Sequence, residues 1–174
     1  MSKSIKQATS LKYLSAYSSQ VQTQIQTLLE QDKLGEFLFK KYPNQHNINN
    51  DKLLRDYVME IKNRYLRKSS PLSKITYDKK IHVVNNALGL HTFVSRVQGS
   101  KLKSKNEIRI SDLFKVAPEA FLEMIVVHEL SHIREKNHDK AFYQLCEHML
   151  PEYHQMEFEM RLYLTQLELK GGIY

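Results

Sequence analysis

The chain has 174 residues, enough for one domain with an extension, and its 41% hydrophobic content with ten Tyr and seven Phe can build a proper core. Five Gly and four Pro are few, which favours a helix-rich chain, and a lone cysteine, Cys146, excludes an internal disulfide. The net charge of +7 is uneven, +12 over residues 1–118 and −5 over residues 119–174, and no run approaches the ~18 apolar residues of a membrane span.

The start, Met1-Ser2-Lys3-Ser4-Ile5-Lys6-Gln7, lacks the apolar centre of a signal peptide. A soluble, cytoplasmic protein with no membrane partner is therefore expected, and Cys146 reads as a small core residue on a helix. The basic part suits a polyanion, so nucleic acid is a possible partner of the N-terminal part, beside the plainer reading of a solvated basic surface. No Arg-rich block, Gly-rich phosphate loop or zinc-knuckle spacing sharpens this. The one dense run, Lys101-Leu102-Lys103-Ser104-Lys105, reads as a hairpin tip.

Residues 1–9 are polar. Over 10–32, Leu11, Leu14, Ser18, Val21, Ile25 and Leu28 follow helical spacing, with Ser10 a plausible cap. Gly35 interrupts, and a shorter helix over 36–42 stops at Pro43. Residues 43–50 form a loop in which His46 is expected to be solvated. Asn50 caps a helix over about 51–68, striped by Leu54, Tyr57, Val58, Ile61, Tyr65 and Leu66, with Lys52, Arg55, Lys62, Arg64, Arg67 and Lys68 outside. Residues 73–88 also fit a helix, through Tyr77, Ile81, Val84 and Leu88, with His82 off the stripe and Gly89 as the stop.

The pattern then changes. Residues 90–98 and 107–111 are β-prone, and the polar stretch 99–106 between them predicts a hairpin. An exposed edge strand there could take an extended peptide by strand addition. Pro118 starts an apolar helix at a first-turn position. Beyond it, residues 139–150 read as a helix with Ala141, Phe142, Leu145 and Met149 inward. Pro151 breaks it, and a last helix over about 152–170 runs to Gly171-Gly172.

The chemistry sits at His128-Glu129-Leu130-Ser131-His132, followed six residues later by His138. On a helix, residues four apart differ by roughly 40° after one turn, so His128 and His132 project from one face as two imidazole ligands should. Glu129 lies beside them, where a carboxylate can take a proton from metal-bound water. A shuffled chain of this composition would contain about 0.03 such motifs. His138 can join only if the helix stops first and the chain turns back. The polar Arg134-Glu135-Lys136-Asn137 permits that, with Asn137 either ending the helix or capping the next. Three His ligands would leave an open fourth position, the mark of a catalytic site. Glu152, Glu157 and Glu159 are rival third ligands. His148 and His154 lack metal spacing to the cluster.

The runs Ile125-Val126-Val127-His128-Glu129-Leu130-Ser131-His132, Asn137-His138-Asp139-Lys140-Ala141-Phe142-Tyr143 and Leu150-Pro151-Glu152-Tyr153 resemble the YgjP-like metallopeptidase domain. WLM and SprT-like metallopeptidases share the three-His spacing. The likeness covers about 71–170 in layout, with Tyr143 where the family has Trp. Metzincins need Gly where this chain has Glu135. The resemblance implies zinc on His128, His132 and His138, with Glu129 as the catalytic carboxylate. It also implies an α+β fold: a helix-rich, minimal zincin-like core, with a small antiparallel sheet against the metal helix. Two segments are then expected, an N-terminal helical extension over 1–70 and a zincin-like metallopeptidase domain over 71–174.

On this reading the chain is a zinc metallopeptidase that cleaves peptide or protein substrates. Glu129 takes the proton of the water nucleophile and returns it to the leaving amine. Tyr153, His154 and Arg96 are candidate oxyanion donors. The alternative is a nucleic-acid-associated, SprT-like protease, or a DNA-binding module with the basic N-terminal part as its surface.

Overall fold

A computed structural model describes residues 11–81, 89–98 and 101–174, with side chains over 11–81 and 106–174. Ser10, His82 and the Val84-to-Leu88 part of the expected 73–88 helix lie outside the described residues. Backbone contacts divide the chain into two units, Met1–Gln45 with Gln155–Tyr174, and His46–His154.

In the first unit a 3-10 turn, Lys12–Leu14, precedes α1 (Ser19–Glu30) and α2 (Lys33–Lys41). The expected single helix over 10–32 is thus split, because the Ser18 side chain accepts the Val21 N–H and caps a fresh start. Asp32, with φ 56°, takes the left-handed conformation that separates α1 from α2. Gly35 does not interrupt; it lies inside α2. A Cβ there would meet Gln166 Nε2 at 3.0 Å, so a larger residue would press that side chain aside by a few tenths of an ångström. Leu34, Leu38, Ile25, Leu29, Met160, Tyr163 and Leu164 are buried in this unit. The buried Glu159 takes hydrogen bonds from Lys41, Tyr42 and, at 2.7 Å, Gln155. Burial raises its carboxyl pKa, yet these donors outweigh that and hold it below the ordinary value.

In the second unit α3 (Asp51–Tyr65) starts as the sequence predicts, with Asn50 Oδ1 accepting the Leu53 N–H at 3.0 Å. Residues 72–78 correct the expected helix. They form β1 (Leu72–Asp78), paired in parallel with β3 (Lys101–Ser111), Ile75 opposite Ile108 and Tyr77 opposite Ile110. Tertiary partners decide it. The Tyr77 N–H donates to Asp51 Oδ1 at 2.9 Å and its hydroxyl donates to the Ile48 carbonyl. A helix through Tyr77 would give up both these bonds and the ladder.

The hairpin is present. β2 (Gly89–Gln98) runs antiparallel to β3, with Leu90 opposite Arg109 and Gln98 opposite Lys101. The dense Lys101–Lys105 run extends the ladder instead of forming the tip, since pairing satisfies backbone groups that a loop would leave to water. The sheet order is β1-β3-β2, so the expected all-antiparallel sheet is a three-stranded mixed one. The coarse expectation, a helix-rich α+β chain with N-terminal helices and a small sheet, stands.

α4 (Glu119–Ser131) contacts α3, β2, β3 and α5 (Lys140–Met149). Phe121, Leu122, Met124, Ile125, Val126, Val127 and Leu130 are all buried, as a helix apolar on every side must be. α6 (Tyr153–Leu169) follows Pro151. Gly171, with φ 97°, ends the chain's last turn in a conformation that needs glycine.

His46 is also a correction. It is buried, 8% exposed, with Nδ1 accepting the Ile48 N–H at 2.9 Å and Nε2 2.6 Å from the Phe114 carbonyl. It ties the loop before α3 to the turn before α4, which no local pattern in residues 43–50 announces. Among the described residues, no helix is long and apolar enough to cross a membrane.

Candidate functional site

α4 ends at Ser131, inside the His-Glu-x-x-His motif. The Ser131 carbonyl accepts the N–H groups of Arg134 at 3.1 Å and Glu135 at 2.9 Å, which closes the helix and turns the chain. The Ser131 hydroxyl bonds back to the Val127 carbonyl at 2.8 Å and meets Cys146 Sγ at 3.2 Å, tying α4 to α5. Cys146 is indeed a buried core residue. The cap of α5 is Asp139, not Asn137; its Oδ1 accepts the Phe142 N–H at 3.1 Å. Between these two fixed points the chain returns His138 to the end of α4.

The three predicted imidazoles meet. His138 Nε2 lies 3.2 Å from His128 Nε2 and 3.0 Å from His132 Nε2. His128 and His132 are half-buried and His138 is exposed, so the cluster opens to solvent on one side. All three rings lean on Phe142, with centroid distances of 4.9, 4.6 and 4.8 Å. Phe142 itself is fully buried.

The far nitrogens are held as well. His132 Nδ1 is 3.0 Å from the Glu135 carbonyl oxygen, and His128 Nδ1 is 2.7 Å from the Tyr153 hydroxyl. A carbonyl only accepts, so His132 Nδ1 carries the proton and Nε2 keeps its lone pair. Burial pushes the His132 pKa below its ordinary value, against the pull of the Glu135 carbonyl, and His138 adds to the lowering. A neutral imidazole with an oriented lone pair is what a metal ligand requires. The donor set therefore fits a metal ion, and these three residues could hold one.

Glu129 is buried beside the cluster, about 100° around α4 from His128. Of the rival ligands, Glu157 pairs with Arg161 at 3.0 Å, Glu159 with Lys41 and Tyr42, and Glu152 is exposed. His154 pairs with Glu147 at 3.5 Å, and the ring of His148 edges Tyr65. The Arg96 side chain lies outside the described ones. Tyr153 faces the Nδ1 side of His128, away from the three Nε2 atoms that meet, so it does not stand at an oxyanion position.

Sequence reasoning missed the roles of Phe142, Tyr153 and the Glu135 carbonyl. Phe142 and Tyr153 carried a signal, since both fall in the runs that resemble the family. The carbonyl carries none, because any residue supplies one.

The sequence model of the YgjP-like, metallopeptidase domain family matches residues 3–163. The likeness therefore reaches well ahead of residue 71, into the N-terminal helices. A UTP pyrophosphatase of Escherichia coli (strain K12) is 56% identical over 161 residues, 92% of this chain and 96% of that protein. No solved structure matches the chain significantly. The pyrophosphatase overturns the reading as a zinc metallopeptidase acting on peptides or proteins, and the protease or DNA-binding alternative with it. The physical reason is that a His-Glu-x-x-His motif specifies ligands and a base for water, not the atom that water attacks. A phosphoanhydride serves as well as a peptide carbonyl. Matched over nearly its whole length and carrying the three histidines together, the chain belongs to the YgjP-like family.

Proposed function

We propose that the chain is a metal-dependent nucleotide pyrophosphatase. It hydrolyses a nucleoside triphosphate, UTP foremost, to the monophosphate and pyrophosphate at the His128, His132 and His138 centre. The observation that carries this is the 56% identity to a UTP pyrophosphatase along 92% of the chain. The convergence of the three Nε2 atoms supports a metal there. Zinc is the ion we assign, because imidazole donors with an open position suit it. When bound, it supplies a Lewis acid that eases deprotonation of water and draws charge from phosphoryl oxygens.

The chain's own residues do the rest. His128, His132 and His138 hold the ion through Nε2. Tyr153 and the Glu135 carbonyl fix the rings of His128 and His132, and buried Phe142 closes the floor of the site. Glu129 accepts the proton of the attacking water as its oxygen closes on the α-phosphorus. Pyrophosphate departs as an anion and needs no proton at that moment. We take the sheet with its His-bearing helix as a minimal zincin-like core put to phosphoanhydride hydrolysis. A lone, buried Cys146 suits a reducing compartment, and we assign the enzyme to the cytoplasm, where nucleoside triphosphates are.

The test is Glu129→Gln. It should keep its metal content by elemental mass spectrometry and lose UTP hydrolysis by at least about 100-fold. Full turnover by a metal-loaded Glu129→Gln protein would sink the mechanism.

A further inference from the structure

A cleft of about 440 Å³ opens where α3 ends and where the chain leaves α4. It is lined by Arg64, Tyr65, Leu66, Arg67, Lys68, Ser69 and Arg134. Four of these side chains are cationic and none is acidic. Among the described residues, Arg67, Lys68 and Arg134 form no ion pair, while Arg64 meets Glu60 at 3.4 Å in an exposed contact, lies over the Tyr65 ring at 6.0 Å and acts at longer range on Glu123. Cations favour helix C-termini, which accounts for one or two of them at the end of α3. It does not account for Arg134, brought in from a distant part of the sequence to face the same space. Four like charges around one opening repel one another unless an anion sits among them.

Two links relate this cleft to the histidine cluster. Arg134 follows His132 by two residues, so their Cα atoms are at most about 7.6 Å apart. The Tyr65 ring edges His148 at 5.7 Å, and His148 shares α5 with Phe142, the floor of the His cluster. Six residues of helix separate them, about 9 Å. The nearness of Arg134 to His132 along the chain is the geometric ground for a polyphosphate chain that spans the histidines and the cleft. Guanidinium forks suit its terminal oxygens, since they bind phosphate through paired N–H donors.

We propose that the cleft of Arg64, Arg67, Lys68 and Arg134 binds the pyrophosphate moiety of the substrate, its β- and γ-phosphates, and holds the same group as product. This rests on the pyrophosphatase reading for its place in the reaction, but binding can be measured without turnover. The group bound is a multiply charged phosphate chain, so selection among bases must come from elsewhere.

The experiment titrates inorganic pyrophosphate into the full-length protein by calorimetry. It compares wild type, Arg67→Ala/Arg134→Ala and Lys52→Ala/Arg55→Ala. The second pair removes the same charge from exposed positions earlier on α3. All four positions are exposed, so melting temperatures should match and confirm folding. The cleft pair should weaken pyrophosphate at least about tenfold and raise the KM for UTP with kcat little changed, while the control pair does neither. Pyrophosphate affinity that is unchanged in the cleft pair, or lowered equally in both pairs, overturns the proposal. If the wild type fails to hydrolyse UTP, the pyrophosphatase reading falls, and the calorimetry still decides whether the cleft binds the phosphate chain.

Discussion

The Tyr153 hydroxyl lies 2.7 Å from His128 Nδ1, across the ring from the Nε2 that meets His138. In the tautomer that can bind metal, Nδ1–H donates to the Tyr153 oxygen and Nε2 presents a lone pair. Tyr153 is wholly buried at the start of α6, so it is a fixed partner. Tyr153→Phe keeps the ring and removes the acceptor. Metal affinity should fall about 10- to 100-fold, as for other partners behind histidine ligands, with little loss of helix content. Competition against a chromophoric chelator reads this. Unchanged affinity would remove Tyr153 from the centre.

Phe142 supports all three imidazoles at once, through ring contacts of 4.6 to 4.9 Å. Phe142→Ala opens a cavity beneath them and should cost about 3–5 kcal/mol in urea unfolding. Because the cavity touches every ligand, metal should restore part of that stability by binding only the folded state. A loss under about 1 kcal/mol would mean that the site collapses around the gap and that Phe142 is not its floor.

His46 predicts a pH effect of definite sign. Burial first, against the pull of the Phe114 carbonyl, holds its pKa below the ordinary 6.5. The neutral ring suits its partners, because Nδ1 must accept from Ile48 while Nε2–H donates to Phe114. A group whose pKa is lower folded than unfolded binds fewer protons in the native state. Its stabilising share is thus present above 6.5 and is lost as pH falls through that value toward the folded pKa. The gap in unfolding free energy between wild type and His46→Gln should therefore shrink on going from about pH 7.5 to 5.5. A gap that stays constant or widens contradicts the assignment.

What the sequence made legible was whatever is decided locally. Asn50 caps α3 through its own side chain, and the alternation after Glu107 makes a strand in either context. The His cluster was legible because helical spacing puts two imidazoles on one face and a polar break allows the third to return to them. β1 was not legible. Tyr77 and Ile81 are four apart, as on a helix, and only the ladder to β3 and the bonds to Asp51 and Ile48 make the segment a strand. His46 was hidden for the same reason, its partners at Phe114 and Ala117 being far along the chain. The reaction was misread for a different reason. The motif encodes how water is activated, while the choice of electrophile lies with residues outside it, which on the proposal above include the basic cleft of α3 and the turn after α4.

The most direct measurement follows UTP by phosphorus NMR in the presence of the zinc-loaded wild-type protein, with and without a chelator. The account predicts resonances of UMP and pyrophosphate that grow together in equal amounts and stop when the chelator is added. UTP left intact by protein whose three histidines hold metal, or its conversion to UDP and orthophosphate, would contradict it.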